Sequence, residues 1–156
     1  MLFRSNTGEH KQPVGLGLHP YWPLTPDVAL TARVRDVWMA DTRRLPVVGV
    51  KVPPRWNFAK PRALAGAFVD HCFAGWDGEA MLAWPDLQVA LRADAAFGHL
   101  VVASPLSESH FAVEPVSHVN DGFNQLADGR TDTGVRVLGG GEQFGGTVRF
   151  ALRQPR

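Results

Sequence analysis

The sequence predicts an all-β domain of the sandwich type, on three observations. Sixteen glycines and twelve prolines are spread along the whole of its 156 residues, at the roughly 8–12-residue spacing of turn signals in sandwiches. The runs between them are short and rich in Val, Leu, Phe and Trp, as in Leu100-Val101-Val102-Ala103. Only one stretch, Asn120–Leu126, allows even a single helical turn. The expectation is one domain over residues 1–156, with many short strands and no internal repeat or linker.

Taken in order, Leu2-Phe3-Arg4-Ser5-Asn6-Thr7-Gly8 reads as a strand running into a turn. Gly15-Leu16-Gly17-Leu18-His19-Pro20-Tyr21-Trp22 follows. Its glycines let the backbone approach its neighbours closely, and Pro20 forces His19 into extended backbone. Pro23 to Asp27 is a loop. Val28–Val34 has the apolar and small residues of a half-buried strand, and Asp36–Met39 continues the sheet. From Asp41 to Lys60 the prolines at 46, 53 and 54 forbid a long element, leaving one short strand around Val47–Val50.

Phe68–Phe73 is a short element closed by Gly75-Trp76-Asp77-Gly78. Glu79–Trp84 and Leu87–Arg92 flank Pro85-Asp86, a hairpin signature. Leu100–Ala103 and His110–Val113 are strands around a polar turn. Glu114 ends that second strand, because Pro115 follows it. Thr147–Leu152 is the final strand, after a Gly-rich turn at Gly139–Gly141.

Composition excludes several functions. A net charge of +1 supplies no basic field for a phosphate backbone, so no nucleic-acid partner is expected. No apolar run approaches the roughly 20 residues of a membrane span, and the first residues lack the apolar core of a signal peptide. One cysteine, Cys72, fits a reducing compartment, and a cytoplasmic location is expected.

The spacing His110-x₃-Glu114-x₃-His118 does not make a metal centre. On a strand, residues four apart lie about 13 Å from each other, whereas ligands sit about 2 Å from a shared metal. Pro115 also forbids a helix there. Cys72 beside His71 points to the opposite sheet face, so it reads as a buried thiol rather than half of a dyad. No Gly-x-Ser-x-Gly elbow or phosphate loop occurs. Glu114 is different: a carboxylate at the end of the apolar run Phe111-Ala112-Val113 has a raised pKa if it is held out of water. The plain alternative is a rim carboxylate in water, as it is for His19 a hydrogen-bonded structural histidine.

Three ordered motifs then carry a resemblance: Gly17-Leu18-His19-Pro20-Tyr21-Trp22, Asp70-His71-Cys72-Phe73-Ala74-Gly75-Trp76-Asp77-Gly78, and Phe111-Ala112-Val113-Glu114-Pro115-Val116-Ser117-His118-Val119-Asn120-Asp121-Gly122-Phe123-Asn124. A fourth, Asp132-Thr133-Gly134-Val135-Arg136-Val137-Leu138, comes after them. Together they resemble the aldose 1-epimerase (galactose mutarotase) family, with Trp22 and His71 as small departures. The resemblance implies a galactose-mutarotase-like β-sandwich and an isomerase that interconverts the α and β anomers of an aldohexose. It implies His19 as the acid on the ring oxygen and Glu114 as the base on the C1 hydroxyl. Asp70 would hold sugar hydroxyls, with Tyr21 and Trp76 (or Trp22) as further substrate-binding candidates. It implies no cofactor and no metal.

The resemblance covers only the C-terminal part of the family, so the fold is expected to be shortened at its N-terminus. The family's other substrate-binding histidine and an arginine belong to the absent half, and no residue here takes their roles. A shortened sandwich is expected to expose strand edges that self-association or a partner chain would cover. Three readings therefore stand: an anomer-interconverting isomerase, a sugar-binding or vestigial fragment without catalysis, and one half of a two-chain assembly.

Overall fold

Turns recur so often that the longest strand among the described residues is seven residues. The computed structural model describes residues 1–154, so the last two positions of the expected 1–156 domain lie outside the described residues. Strands β1 (Leu2–Ser5), β2 (Gln12–Val14), β3 (Tyr21–Pro23), β4 (Ala29–Ala32), β5 (Asp36–Ala40) and β6 (Pro46–Lys51) precede a 3₁₀ turn at Pro54–Trp56. Strands β7 (Arg62–Ala63), β8 (Val69–Ala74), β9 (Glu79–Ala83), β10 (Gln88–Ala93), β11 (His99–Ser104) and β12 (His110–Val116) follow. Then come helix α1 (Gly122–Ala127), β13 (Arg136–Leu138), β14 (Gln143–Gly146) and β15 (Val148–Arg153). Among these residues no helix is long and apolar enough to cross a membrane.

Two sheets form the sandwich, one ordered β15-β10-β9-β4-β7 and the other β3-β12-β11-β8-β5-β6. Their facing side chains make one core. Leu30, Leu82, Val89 and Leu91 come from the first sheet, and Val37, Phe73, Leu100, Val102, Phe111 and Val113 from the second. Each is one of an alternating series, since successive strand residues point to opposite faces. Phe73 is fully buried and meets Phe58 edge-on at 5.6 Å; burying one such side chain stabilises the fold by about 1.5–3 kcal/mol. Two further pairs, β1 with β14 and β2 with β13, flank the sandwich.

The Pro85-Asp86 hairpin forms as expected: β9 and β10 pair antiparallel and Trp84 N–H donates to the Leu87 carbonyl. Gly78, just before it, has φ +84°, and a Cβ there would lie 2.6 Å from the Ala93 carbonyl oxygen. Only glycine fits such a position. One expectation fails. Strand β12 does not stop at Glu114 but runs through Pro115 to Val116. Its neighbour β3 pairs only as far as Ala112↔Tyr21. Pro115 is still paired with Leu100 of β11, and on the other side its carbonyl accepts from Leu18 N–H, so the strand continues although the proline's own N–H is missing there.

Candidate active site

The six-stranded sheet has an outer face, formed by the alternate residues that do not enter the core. Across it Glu114, Val101 and Cys72 stand side by side in register on β12, β11 and β8. Trp38, Cys72, Ala74, Val101 and Val119 make a second apolar cluster there, with Val116 against it. The Glu114 carboxylate therefore rises from an apolar floor, with the residue only 9% exposed. Burial pushes its pKa up, the charge of His19 pulls it down by less, and the negative charge of Asp70 adds to the rise.

His19 reaches Glu114 because the chain before it is laced to β12. Leu16 N–H donates to Ser117 Oγ at 2.9 Å, Ser117 N–H to the Leu16 carbonyl at 2.8 Å, and Leu18 N–H to the Pro115 carbonyl at 3.1 Å. Beyond Tyr21 the chain is paired again, as β3. Between these two fastenings both Pro20 and Pro115 lack an N–H, so the strands part. His19 occupies that gap, with Nε2 3.1 Å from Glu114 Oε1. An ionised carboxylate only accepts, so Nε2 carries the hydrogen between them. The His19 side chain is 55% exposed against 12% for Glu114. Solvent thus reaches the imidazole while the carboxylate stays sheltered.

The Tyr21 ring lies 4.6 Å from the His19 ring, and its other side meets the His110 ring edge-on at 5.0 Å. Tyr21 is exposed and stands on the site face. Its neighbour Trp22 points the other way, against Trp84 and Phe150. Asp70 stands on the site face of β8, exposed, with Arg44 Nη1 3.9 Å from its Oδ2. Trp76 is not brought to the site. It is 5% exposed within the main core, and its indole N–H donates to the Glu79 carbonyl at 2.8 Å. The fold uses its bulk between the sheets, and no ring face is left for a ligand.

A cavity of about 300 Å³ opens beside Glu114, lined also by Gly15, Gly17, Val101, His118 and Asn120. A smaller one of about 40 Å³ holds Asp70, Arg44 and Cys72 and shares Val101 and Asn120 with the first. The larger volume is at the lower end of the roughly 300–1,000 Å³ of small-molecule sites. The Cys72 thiol is buried at this floor and its pKa is pushed up to about 12, chiefly by burial. Among the described residues no three His, Cys, Asp or Glu side chains gather as a metal site. Asn120, Val101 and Arg44 escaped the sequence reading. The first had a legible signal, because 114, 116, 118 and 120 keep the two-residue alternation beyond the end of β12.

The arrangement offers one sheltered base that lines an open cavity, and a solvent-accessible imidazole that touches this base without itself lining the cavity, a pair suited to moving protons on a small polar molecule. Comparison with known proteins agrees with this fold. A crystal structure of a "Putative aldose 1-epimerase" from Escherichia coli K12 superposes with a TM-score of 0.84 at 22% identity, covering 98% of this chain and 55% of that one. A galactose mutarotase-like protein from Clostridium acetobutylicum gives a TM-score of 0.80 at 15% identity, covering 97% and 51%. Uncharacterized protein YphB of Escherichia coli K12 is 27% identical over 135 residues, 80% of this chain and 47% of that protein. The chain thus spans about half the length of the relatives it matches. The sequence pattern of the aldose 1-epimerase family matches residues 3–133, and this chain belongs to that family.

Proposed function

We propose that this chain interconverts the anomers of an aldohexose by acid–base ring opening at His19 and Glu114. The observation that carries the reading is their 3.1 Å contact, with Glu114 sheltered, lining an open cavity, and its basicity raised by burial. Opening a cyclic hemiacetal requires a proton at the ring oxygen and removal of one from the C1 hydroxyl. The C1–ring-oxygen bond then breaks as the C1 carbonyl forms. Those two oxygens are bonded to the same carbon, so acid and base must stand close together, as His19 and Glu114 do. After rotation about C1–C2, closure runs both transfers in reverse on the other face, and each side chain regains its starting state. No proton is gained or lost overall. Asp70, two residues along β8 from the Cys72 floor, would hold sugar hydroxyls, and Tyr21 would border the imidazole.

Polarimetry of freshly dissolved α-D-glucose or α-D-galactose tests this. Wild type should speed the approach to equilibrium rotation and Glu114→Gln should lose the acceleration, since one such transfer contributes about 10²–10⁴-fold. A wild-type rate equal to that of buffer, with sugar still bound, would replace catalysis by binding alone.

A second reading, one half of a larger assembly, has its own observation. The edge strand β6 exposes Val47, Val48 and Val50, and the edge strand β15 exposes Phe150 and Leu152. Unpaired apolar edges invite another strand. Under this reading sedimentation detects association, and co-expression with a partner chain raises the polarimetric rate.

A further inference from the structure

His118 lines the same cavity as Glu114, and the reading above gives it no task. Its imidazole is held on several sides. Nδ1 lies 2.7 Å from the Val119 carbonyl oxygen, and because a carbonyl only accepts, Nδ1 must carry the proton. The Phe123 ring packs on it at 5.0 Å. A Cβ on Gly15 would fall 2.0 Å from Nε2 and 2.1 Å from Cδ2, so the ring lies where it does only because residue 15 has no side chain. Gly122 gives similar clearance at Nδ1, where a Cβ would come within 3.2 Å.

This packing fixes both the tautomer and the direction of the ring. In the neutral imidazole Nε2 is then left with a lone pair, and it has no hydrogen-bond partner among the described residues. A fixed acceptor in a cavity wall, above a floor of Val101 and Val116, suits a ligand that brings O–H donors along with apolar C–H surface. The geometry points to His118 as a further substrate-binding residue, whose Nε2 accepts a hydrogen bond from one hydroxyl of the sugar held against Glu114. This inference rests on the reading of the cavity as a sugar site.

The test pairs a change in the protein with a change in the ligand. D-glucose, D-galactose and their monodeoxy derivatives are titrated calorimetrically into wild type, His118→Phe and His118→Gln. His118→Phe should weaken the parent sugar about tenfold, the worth of one net hydrogen bond. For one deoxy sugar, wild type and His118→Phe should bind alike, because the partner hydroxyl is gone. His118→Gln, which keeps an acceptor oxygen, should recover most of the loss. Gly15→Ala, which pushes the ring aside while leaving it in the chain, should reproduce the His118→Phe pattern and provides the same cycle if the Phe variant does not fold. Equal loss on every deoxy sugar is the mark of a merely structural histidine and overturns the inference alone. So does unchanged binding of the parent sugar by His118→Phe. No saturable sugar binding by wild type overturns both this inference and the reading on which it rests.

Discussion

Glu114→Gln should abolish turnover and stabilise the protein at once. Glutamine has the size of the side chain it replaces but carries no charge and cannot act as the base. The rate should fall by about 10²–10⁴-fold, which is about 2.7–5.4 kcal/mol at 1.36 kcal/mol per decade. Stability should move the other way. Wild type keeps a carboxylate sheltered above Val101, with His19 as the one ionisable side chain in contact among the described residues. That partner is half in water, and such pairs repay only about 0–1 kcal/mol. A sheltered polar group short of partners costs about 1–3 kcal/mol and a charged one more, so the neutral amide is the less costly of the two to shelter. The variant should therefore gain about 1 kcal/mol at neutral pH, which raises Tm by about 2–4 °C in a chain of this size.

The pH dependence gives the sign independently. Burial raises the folded-state pKa of Glu114 above its unfolded value, so the fold holds this proton the more tightly. Glu114 favours folding below its unfolded-state titration, and that contribution is lost as pH rises through the raised folded value. Glutamine has no such slope. The stability advantage of the variant should thus grow with pH across the window just above the ordinary carboxylate range. Asp36, Asp41 and Asp132, whose pKa values are held down by hydrogen bonds to neighbouring groups, slope the opposite way but cancel in the difference. Urea titrations of both proteins from pH 4 to 8, with polarimetry, measure all of this. A variant less stable than wild type at neutral pH, or one turning over within tenfold of it, would refute the reasoning.

Four further outcomes are expected. His19→Gln should lose activity about as severely as Glu114→Gln, and the double variant should be no worse than either, since groups acting as a unit are not additive; polarimetric rates of the three decide this. Gly78→Ala should lower stability by more than about 1 kcal/mol, from left-handed backbone plus the 2.6 Å approach to the Ala93 carbonyl oxygen, read as a drop in urea midpoint. The Cys72 thiol, its pKa pushed up to about 12, should resist a disulfide reagent at pH 8 when folded and react at once in urea. If the β6 edge drives association, Val48→Lys should shift the protein towards monomer in sedimentation velocity and leave its circular dichroism unchanged.

The spacing of turn residues made the sandwich legible, since interruptions so frequent leave room only for strands. The Pro85-Asp86 hairpin and the single helical turn were readable for the same local reason. Strands such as β2, β7, β13 and β14 were not, because Gln12-Pro13-Val14 or Arg62-Ala63 carries no apolar alternation. These segments are extended only because a distant partner pairs with them. At the candidate site, His19 and Glu114 were singled out through the motifs around them, but Tyr21 and Trp76 could not be told apart by type. Both are aromatic residues beside a turn or a proline. Which one faces solvent depends on the alternation of β3 and on the turn at Gly75, where φ is +66°. Glu114 was expected at a strand end because proline usually closes a strand. The rule failed because β11 stays paired with β12 through Leu100↔Pro115 and the proline's carbonyl still accepts from Leu18 N–H, so the missing donor does not end the strand.

The parting of β3 from β12 has a mechanical consequence. A slot between two strands normally threatens to zip shut, each new rung of the ladder pulling in the next. Here the rungs on either margin lack the hydrogen they would need, because Pro20 and Pro115 face the same slot without one. The opening that admits His19 is therefore propped by covalent chemistry, and it persists whether or not anything occupies it.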